Sequence, residues 1–556
     1  MLGAILVLAA GASPGSASAK GDARATPPQR QVFLLGLRQR GRPSLLARQV
    51  SSPASPRYRR FLSPRRYRSR FSPRRRARRR VVRFLAGRRG VGKVELSSNR
   101  TLVLAALTPR AGRRIFCAAS ARLPVRRLCI PPALRGTVRQ VSAGEVYELG
   151  SSRRARAARG PRGCAAAIKT GAFTPNQLST AYGVDALRAR GLQGSGVRVA
   201  TLSSQEVDAT GFRTWARCFG LRTPRVRQFA MPGANTDTAT APEETVLDVE
   251  ALASLAPRLE RISPIFVPLD QGFSNSFLLF MFGALDPGRQ GGNLPHILSI
   301  SDGVCEYRFT ADELQLGRRL LIEAAVLGIT TLAASGDLGL LGCFTSRRGA
   351  LFPSSFPYTT SVGGTDLSLT GDDQIARQAV WSTFASQPAQ GAGSGGGPSS
   401  AWDRPSFQRA PGLSPLLQPA GRTRLAPDLA AMASFTPGLA VFQKGGGGWG
   451  LGGGTSAATP LMAAIVALVM EQERKAGRPP LGSLQPLLYE LARGPGYNRI
   501  FFDVTEGTSS RDPSSAAGKS PAGGAAQPGY DLATGLGSLN AAAFADAVAS
   551  PQAPTR

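Results

Sequence analysis

The sequence predicts an α/β protein: a mostly parallel sheet flanked by helices fills the larger, C-terminal part, and a smaller α+β segment precedes it. Three observations carry this expectation. The chain has 556 residues, 42% hydrophobic and 19% charged, enough to bury the cores of several domains. Its 65 glycines and 42 prolines point to many turns rather than to long bundles or coiled coils. From Cys164 onward, apolar runs of strand length alternate with helical patterns, the mark of a parallel sheet covered on both faces.

Taken in order, residues 2–10 (LGAILVLAA) form an apolar run, and Ala17-Ser18-Ala19 supplies small residues of cleavage-site type. Residues 1–19 are therefore expected to be a secretory signal peptide, and the protein to be secreted. Residues 30–150 are rich in arginine, yet apolar residues recur among them: Tyr58, Phe61, Leu62, Tyr67 and Phe71, then Val81, Val82, Phe84 and Leu85, then the alternating stretch Arg100 to Leu107. This predicts a folded α+β domain and not a tail. The polar stretch 151–163, SSRRARAARGPRG, reads as an exposed, cleavable linker.

Over residues 164–556 the pattern predicts a strand at 196–202, a helix over 243–255, a strand at 297–300, a helix over 311–327 and a strand at 330–334. The apolar run Leu461 to Met470 has ten residues and suits a buried helix better than a membrane span. No membrane partner is expected.

The formal charge of +35, taken whole, would suggest a binder of nucleic acid or of anionic surfaces. The charge is confined to one segment. Residues 1–163 hold 36 arginines and 2 lysines against four acids (Asp22, Glu95, Glu145 and Glu148), a net charge of +34. Only 7% of the chain is aromatic, which argues against stacking platforms for bases, so no nucleic-acid partner is expected. Six cysteines without a CxxC pair, beside a single histidine, His296, leave no plausible zinc set.

The chemistry is concentrated in four places. In Gly452 to Pro460, GGGTSAATP, Ser456 stands at a glycine-flanked helix start, where a nucleophile and an oxyanion site could be built; the same pattern also fits an ordinary capped helix. A serine nucleophile needs a base, and His296, in LPHILSIS, lacks the glycine-rich setting of such a histidine. A carboxylate base is indicated instead. Glu244 and Asp248, four apart, share one helical face, although most such pairs are solvated. Asp337, in the turn Ser335-Gly336-Asp337, follows a strand at the carboxyl end where open parallel sheets place their sites; a turn-capping role would explain it equally.

Together these motifs resemble the sedolisin family of serine-carboxyl peptidases, whose catalytic domain has a subtilisin-like fold. The E-x-x-x-D pair looks like Glu244 and Asp248, the S-G-D turn like Ser335 to Asp337, and the S-G-T-S-x-x-x-P motif like Gly454 to Pro460, with a glycine replacing the leading serine. FPSSFPYTTSVGGT (352–365), SGGGPSSAWDRPSFQ (394–408) and APDLAAMA (426–433) also look like family segments. The resemblance makes residues 30–150 an activation prodomain, which would inhibit its own catalytic domain, and implies polypeptide substrates for a chain expected to be monomeric. It also implies one calcium ion, held by Asp503, Val504, Gln527, Gly529 and Asp531; all-oxygen ligation suits that ion.

In the mechanism so implied, Ser456 attacks a peptide carbonyl, Glu244 takes its proton, Asp248 orients Glu244, and Asp337 donates to the oxyanion beside the Ser456 N–H. Asp337 must be protonated to donate while Glu244 must be ionised, so activity is expected in acid, at roughly pH 3–5. The alternatives are a catalytically inactive relative and an arginine-rich surface binder. The cysteines are expected to pair as Cys117–Cys129, Cys164–Cys218 and Cys305–Cys343. The prodomain arginines are expected to pair with acids of the catalytic domain, several together, as an acid-released latch.

Overall fold

The structure is a computed structural model that describes residues 30–118, 128–143, 164–204, 206–234, 243–268, 273–341, 343, 349–387, 391–409, 421–443, 448–510 and 525–550. The expected signal peptide (1–19) and linker (151–163) lie outside the described residues.

The N-terminal part runs β1 (Gln31–Leu37), α1 (Pro43–Ser51), α2 (Pro64–Phe71), α3 (Arg75–Ala86), β2 (Val91–Leu96), β3 (Leu102–Leu107), α4 (Pro109–Phe116) and β4 (Val138–Ala143). Its four strands form an antiparallel sheet in the order β2-β3-β1-β4. Helices α2 and α4 begin where a proline follows a capping hydroxyl: Ser63 and Thr108 accept from the third backbone amide beyond them, and the proline fixes φ where no N–H is needed. In α3, Val81 and Leu85 lie four apart and are buried, while most of the arginines between and before them face outward. The disulfide Cys117–Cys129 closes this part beyond α4.

The larger part contains β5 (Arg198–Ser203), β6 (Phe229–Ala230), α5 (Glu243–Leu255), β7 (Arg261–Phe266), α6 (Phe273–Ala284), β8 (Ile297–Ile300), α7 (Ala311–Val326), β9 (Thr330–Ala334), β10 (Thr360–Leu369), β11 (Ile375–Val380), β12 (Leu429–Met432), α8 (Gly454–Lys475) and α9 (Ala541–Ala549). The main sheet has the order β11-β10-β9-β8-β5-β7-β6, with β12 joined to β10. Every pairing in it is parallel except β10 with β11. Helices α5 and α8 contribute to the core on one face and α6 and α7 to the core on the other, the two-sided cover that a parallel sheet requires. Helix α8 is long and apolar enough to cross a membrane by length and composition, but it is almost wholly buried inside the protein.

The two parts meet through the prodomain sheet. Along β1 the side chains alternate: Phe33 and Leu35 enter the prodomain core, while Val32 and Leu34 join the core that holds Leu316 and Leu320 of α7. Phe61 sits against Gly328 and Gly482, where an added Cβ would come within 2.6 and 2.5 Å of its ring. Asn99 and Thr101 donate to the two oxygens of Glu323, at 2.5 and 3.3 Å. Arg59 binds Glu473 at 2.7 Å. Among the described residues this is the one prodomain arginine that pairs with an acid, and the other ion pair across the boundary, Arg289–Glu95 at 2.6 Å, has the opposite polarity. The expected latch of several arginine–acid pairs is therefore not the contact that forms; apolar packing fills the interface, with hydrogen bonds from uncharged donors to acids and from arginines to uncharged acceptors.

Candidate active site

The carboxyl ends of two central strands and the first turns of two helices converge. Strand β8 leads into Ser301-Asp302-Gly303 and β9 into Ser335-Gly336-Asp337, while α5 carries Glu244 and Asp248 on consecutive turns and α8 opens with Gly454-Thr455-Ser456. Ligand sites of open parallel sheets lie at this edge.

Helix α8 has no side-chain cap of its own: Gly453 precedes it, and Gly454 has φ +73°. The capping is done by Asp337, whose Oδ1 accepts from the Thr455 N–H at 2.9 Å and from the Thr455 hydroxyl at 2.7 Å. Thr455 Oγ1 in turn accepts from the Gly336 N–H at 3.1 Å. Ser456, freed from capping, is the one residue between Gly452 and Met470 that is not buried. Only glycine fits at 454, since a Cβ there would lie 2.5 Å from Asp337 Oδ2 and the backbone is left-handed.

Ser456 and Ser301 are joined in both directions. The Ser456 hydroxyl donates to the Ser301 carbonyl at 3.0 Å, and the Ser301 hydroxyl lies 3.2 Å from the Ser456 carbonyl oxygen. That carbonyl would normally accept from the amide four residues on, but position 460 is proline, which has no N–H. Ser301 Oγ also makes a short hydrogen bond with Asp248 Oδ1.

The carboxyl groups are crowded and poorly solvated. Asp248 is fully buried, and its Oδ2, like Oε1 of Glu244, is buried without a hydrogen-bond partner. Burial, and then the charge of Asp248, push the Glu244 carboxyl well above the usual range; a hydrogen bond with Ser456 pulls the other way, and Asp302 and Asp337 add to the rise. Burial also pushes Asp248 well up, against its bond with Ser301. Asp337 is raised by burial, opposed by its two bonds with Thr455.

Sequence reasoning missed three members of this group. Asp302 brings a fourth carboxyl; burial pushes it up to about 6, and Asp337 adds to the rise. Its Oδ1 accepts from the Gly303 N–H at 2.7 Å. The signal was available, because Ser301-Asp302-Gly303 leaves a strand just as Ser335-Gly336-Asp337 does. Ser301 and Thr455 act through tertiary hydrogen bonds that no local pattern announces.

His296 lies elsewhere. It enters β8 from the opposite end, about 15 Å from Ser301 along the strand. Its Nδ1 accepts from the Arg198 N–H at 3.1 Å, and burial together with Arg198, Arg474 and Arg261 lowers it to about 3.

The expected calcium residues lie near the C-terminus of the described chain. Asp503 Oδ2 accepts from the Gly529 N–H at 2.8 Å, while its Oδ1 is buried without a partner. Asp531 Oδ1 accepts from the amides of Ala533 and Thr534, at 2.7 and 2.8 Å. Burial raises Asp531 to about 7, with Asp503 adding to the rise, and the Asp503 bond to Gly529 brings that carboxyl to within two residues of Asp531 along the chain. Val504 is buried between apolar neighbours, and Gln527 Nε2 donates to the Tyr530 carbonyl at 3.0 Å. Among the described residues no cluster of three or more histidine, cysteine or acidic side chains could hold a metal, so an ion here would depend on backbone carbonyls. Two neighbouring acids and one orphaned oxygen are compatible with such an ion.

The disulfide Cys305–Cys343 ties the segment after Asp302 to the segment after Asp337. The pair Cys164–Cys218 involves a side chain outside the described residues; Cys218 is disulfide-bonded.

Residues 18–119 match the family described as "Pro-kumamolisin, activation domain". The chain is 33% identical over 375 residues to kumamolisin of Bacillus sp. (strain MN-32), a match covering 66% of this chain and 62% of that one. It is 34% identical over 272 residues to tripeptidyl-peptidase 1 of Homo sapiens, covering 46% and 44%. The matches thus span less than two thirds of either relative. Among solved structures, Pseudomonas sedolisin, a serine-carboxyl proteinase complexed with two molecules of pseudo-iodotyrostatin, superposes with a TM-score of 0.58 at 21% identity, over 68% of this chain and 98% of that one, so the larger part shares its subtilisin-like fold. With the activation-domain match at one end, this fold at the other and the sequence relatives between, the chain is similar along most of its length to the serine-carboxyl peptidases of the sedolisin family.

Proposed function

We propose that this chain is a peptidase made as a zymogen, which hydrolyses polypeptides in acid through Ser456. The observation that carries the proposal is that the Ser456 side chain bonds Glu244 of the buried Glu244–Asp248 pair while Asp337 holds the neighbouring Thr455, and the one histidine stands at the far end of β8.

Ser456 Oγ attacks the substrate carbonyl and passes its proton to Glu244. Because burial raises both Glu244 and Asp248, the two share a proton in acid, and the singly ionised pair is the base. Asp337 Oδ1 is occupied by Thr455, which leaves the proton of its neutral form on Oδ2, beside Gly454 and the helix start, where the oxyanion of the tetrahedral intermediate would form. Glu244 then returns the proton to the leaving amine, and water releases the acyl group by the same steps in reverse. Activity needs Glu244 ionised as the base and Asp337 protonated as the donor. Burial raises Asp337, so the proton it needs as donor is kept to a higher pH than an ordinary carboxyl would keep it.

We assign the N-terminal domain the role of inhibitor, with Phe61 and Arg59 seated on the catalytic part. The disulfides suit an oxidising compartment outside the cytosol. We also propose one calcium ion at Asp503 and Asp531, with backbone carbonyls of Val504, Gln527 and Gly529; when bound, it would neutralise the two acids and fix the C-terminal segment to the body. A peptide library digested at pH 4 and read by mass spectrometry tests the activity: the acid-treated protein should cut peptides and its Ser456→Ala variant should not, whereas equal products from both would refute the proposal.

A further inference from the structure

Ser301 Oγ faces two acceptors, Asp248 Oδ1 and the carbonyl oxygen of Ser456, and a serine hydroxyl has one hydrogen to give. Both contacts are hydrogen bonds at once only if the hydrogen between Ser301 and Asp248 belongs to Asp248. The protonated carboxyl then donates to Ser301 Oγ, and Ser301 donates onward to Ser456. An ionised Asp248 would take the Ser301 hydrogen instead. The Ser456 carbonyl would then lose its Ser301 donor, and Pro460 cannot supply the helical amide in its place.

We propose that Ser301 is a positioning residue that links the protonation of Asp248 to the placement of the nucleophile: its hydroxyl anchors the first turn of α8 at Ser456 while Asp248 is protonated and releases it when Asp248 ionises. This rests on the reading of Ser456 as nucleophile. The charged groups around Asp248 favour the anchored state in acid. Glu244 faces it from the preceding turn of α5 and Asp302 from beyond β8, while Asp337, beyond β9, acts on both of these. All are acids, and each resists a further negative charge among them. The sequence feature that makes the link necessary is Pro460, which removes the helical donor and leaves the carbonyl dependent on a side chain from another strand.

The test is kcat and KM against pH for the activated parent and for Ser301→Ala, Ser301→Thr and Pro460→Ala. In the parent, kcat should fall at the alkaline side with a logarithmic slope approaching −2, because Asp337 and Asp248 each lose a proton needed for the step. Ser301→Ala should lower kcat at pH 4 about tenfold or more with KM within twofold, and should reduce that slope to −1; Ser301→Thr should keep the parent profile. Pro460→Ala, which gives the Ser456 carbonyl a backbone donor and leaves Ser301 in place, should also show the shallower slope, so that a folding failure of Ser301→Ala does not decide the matter. A uniform loss of kcat in Ser301→Ala with the parent slope, or the parent slope in Pro460→Ala, would overturn the inference. An inactive parent would instead defeat the underlying reading of the site.

Discussion

Asp337 and Thr455 are joined twice, the same carboxyl oxygen accepting from the Thr455 amide at 2.9 Å and from its hydroxyl at 2.7 Å. This fixes the carboxyl plane and leaves the second oxygen to carry the proton. Thr455→Val should therefore lower kcat by about 10- to 100-fold with little change in KM, less than the 10²–10³ expected for losing an oxyanion donor altogether, while Thr455→Ser stays near the parent. Steady-state kinetics at the acid optimum check both; equal losses in Val and Ser would remove Thr455 from the account.

Gly454 makes a harder test. A Cβ would lie 2.5 Å from Asp337 Oδ2 on a backbone of φ +73°, so Gly454→Ala should displace the carboxyl and cost at least about 10² in kcat, with the circular dichroism of the fold retained. Substantial activity in that variant would mean that Asp337 is not where the oxyanion forms.

Glu323 predicts how the zymogen responds to pH. Buried beneath Asn99 and Thr101, its carboxyl is pushed up to about 7, against hydrogen bonds from Asn99, Tyr67 and Thr101. A folded acid with a raised value binds more protons than the unfolded chain between its ordinary value and 7, so stability is fully present in acid and falls as pH rises through that window. Glu323→Gln, made in the Ser456→Ala precursor, should match the parent's melting temperature at pH 4 and exceed it at pH 8, the shift corresponding to a stability gain on the order of 2 kcal/mol. Parallel curves would contradict this. The sign also matters for activation, because Glu323 holds the prodomain more firmly in acid, the reverse of an acid-released latch.

How far the sequence could be read follows from which features are local. Helix α5 and strands β8 and β9 fall where the patterns put them, because burial on a parallel sheet imposes its period on each segment. Strand β5 begins two residues later than expected and α7 ends one residue earlier, the usual blur at element ends. Glu244, Asp248, Asp337 and Ser456 sit at a strand exit and at helix starts, but each local pattern also fits a cap or a solvated face, and it is their combination and order, resembling a known family, that singles them out. Ser301 is not singled out, since its role comes from Pro460, 159 positions away in the numbering. The arginine excess misdirected the reading of the interface: charge is legible in a sequence, but the partners that bury Glu323 are neutral Asn99 and Thr101, which no charge count reveals.

The calcium proposal predicts that chelation lowers the melting temperature at pH 5 and that calcium restores it, by about 2.7 kcal/mol at a hundredfold excess over Kd. Asp503→Asn, which weakens the orphaned Oδ1 as a ligand, should reduce that response. A melting temperature indifferent to chelator would remove the ion from the account.

The central claim is that carboxylates, and not a histidine, activate Ser456. The most direct measurement is kcat/KM from pH 3 to 8 for purified, activated Glu244→Gln beside His296→Ala. The account predicts that Glu244→Gln is inactive at every pH, since an amide cannot accept the proton, and that His296→Ala overlays the parent profile, because its ring serves only Arg198 and the base of β8. A folded His296→Ala without activity, or a Glu244→Gln that still turns over at parent rates, would contradict it.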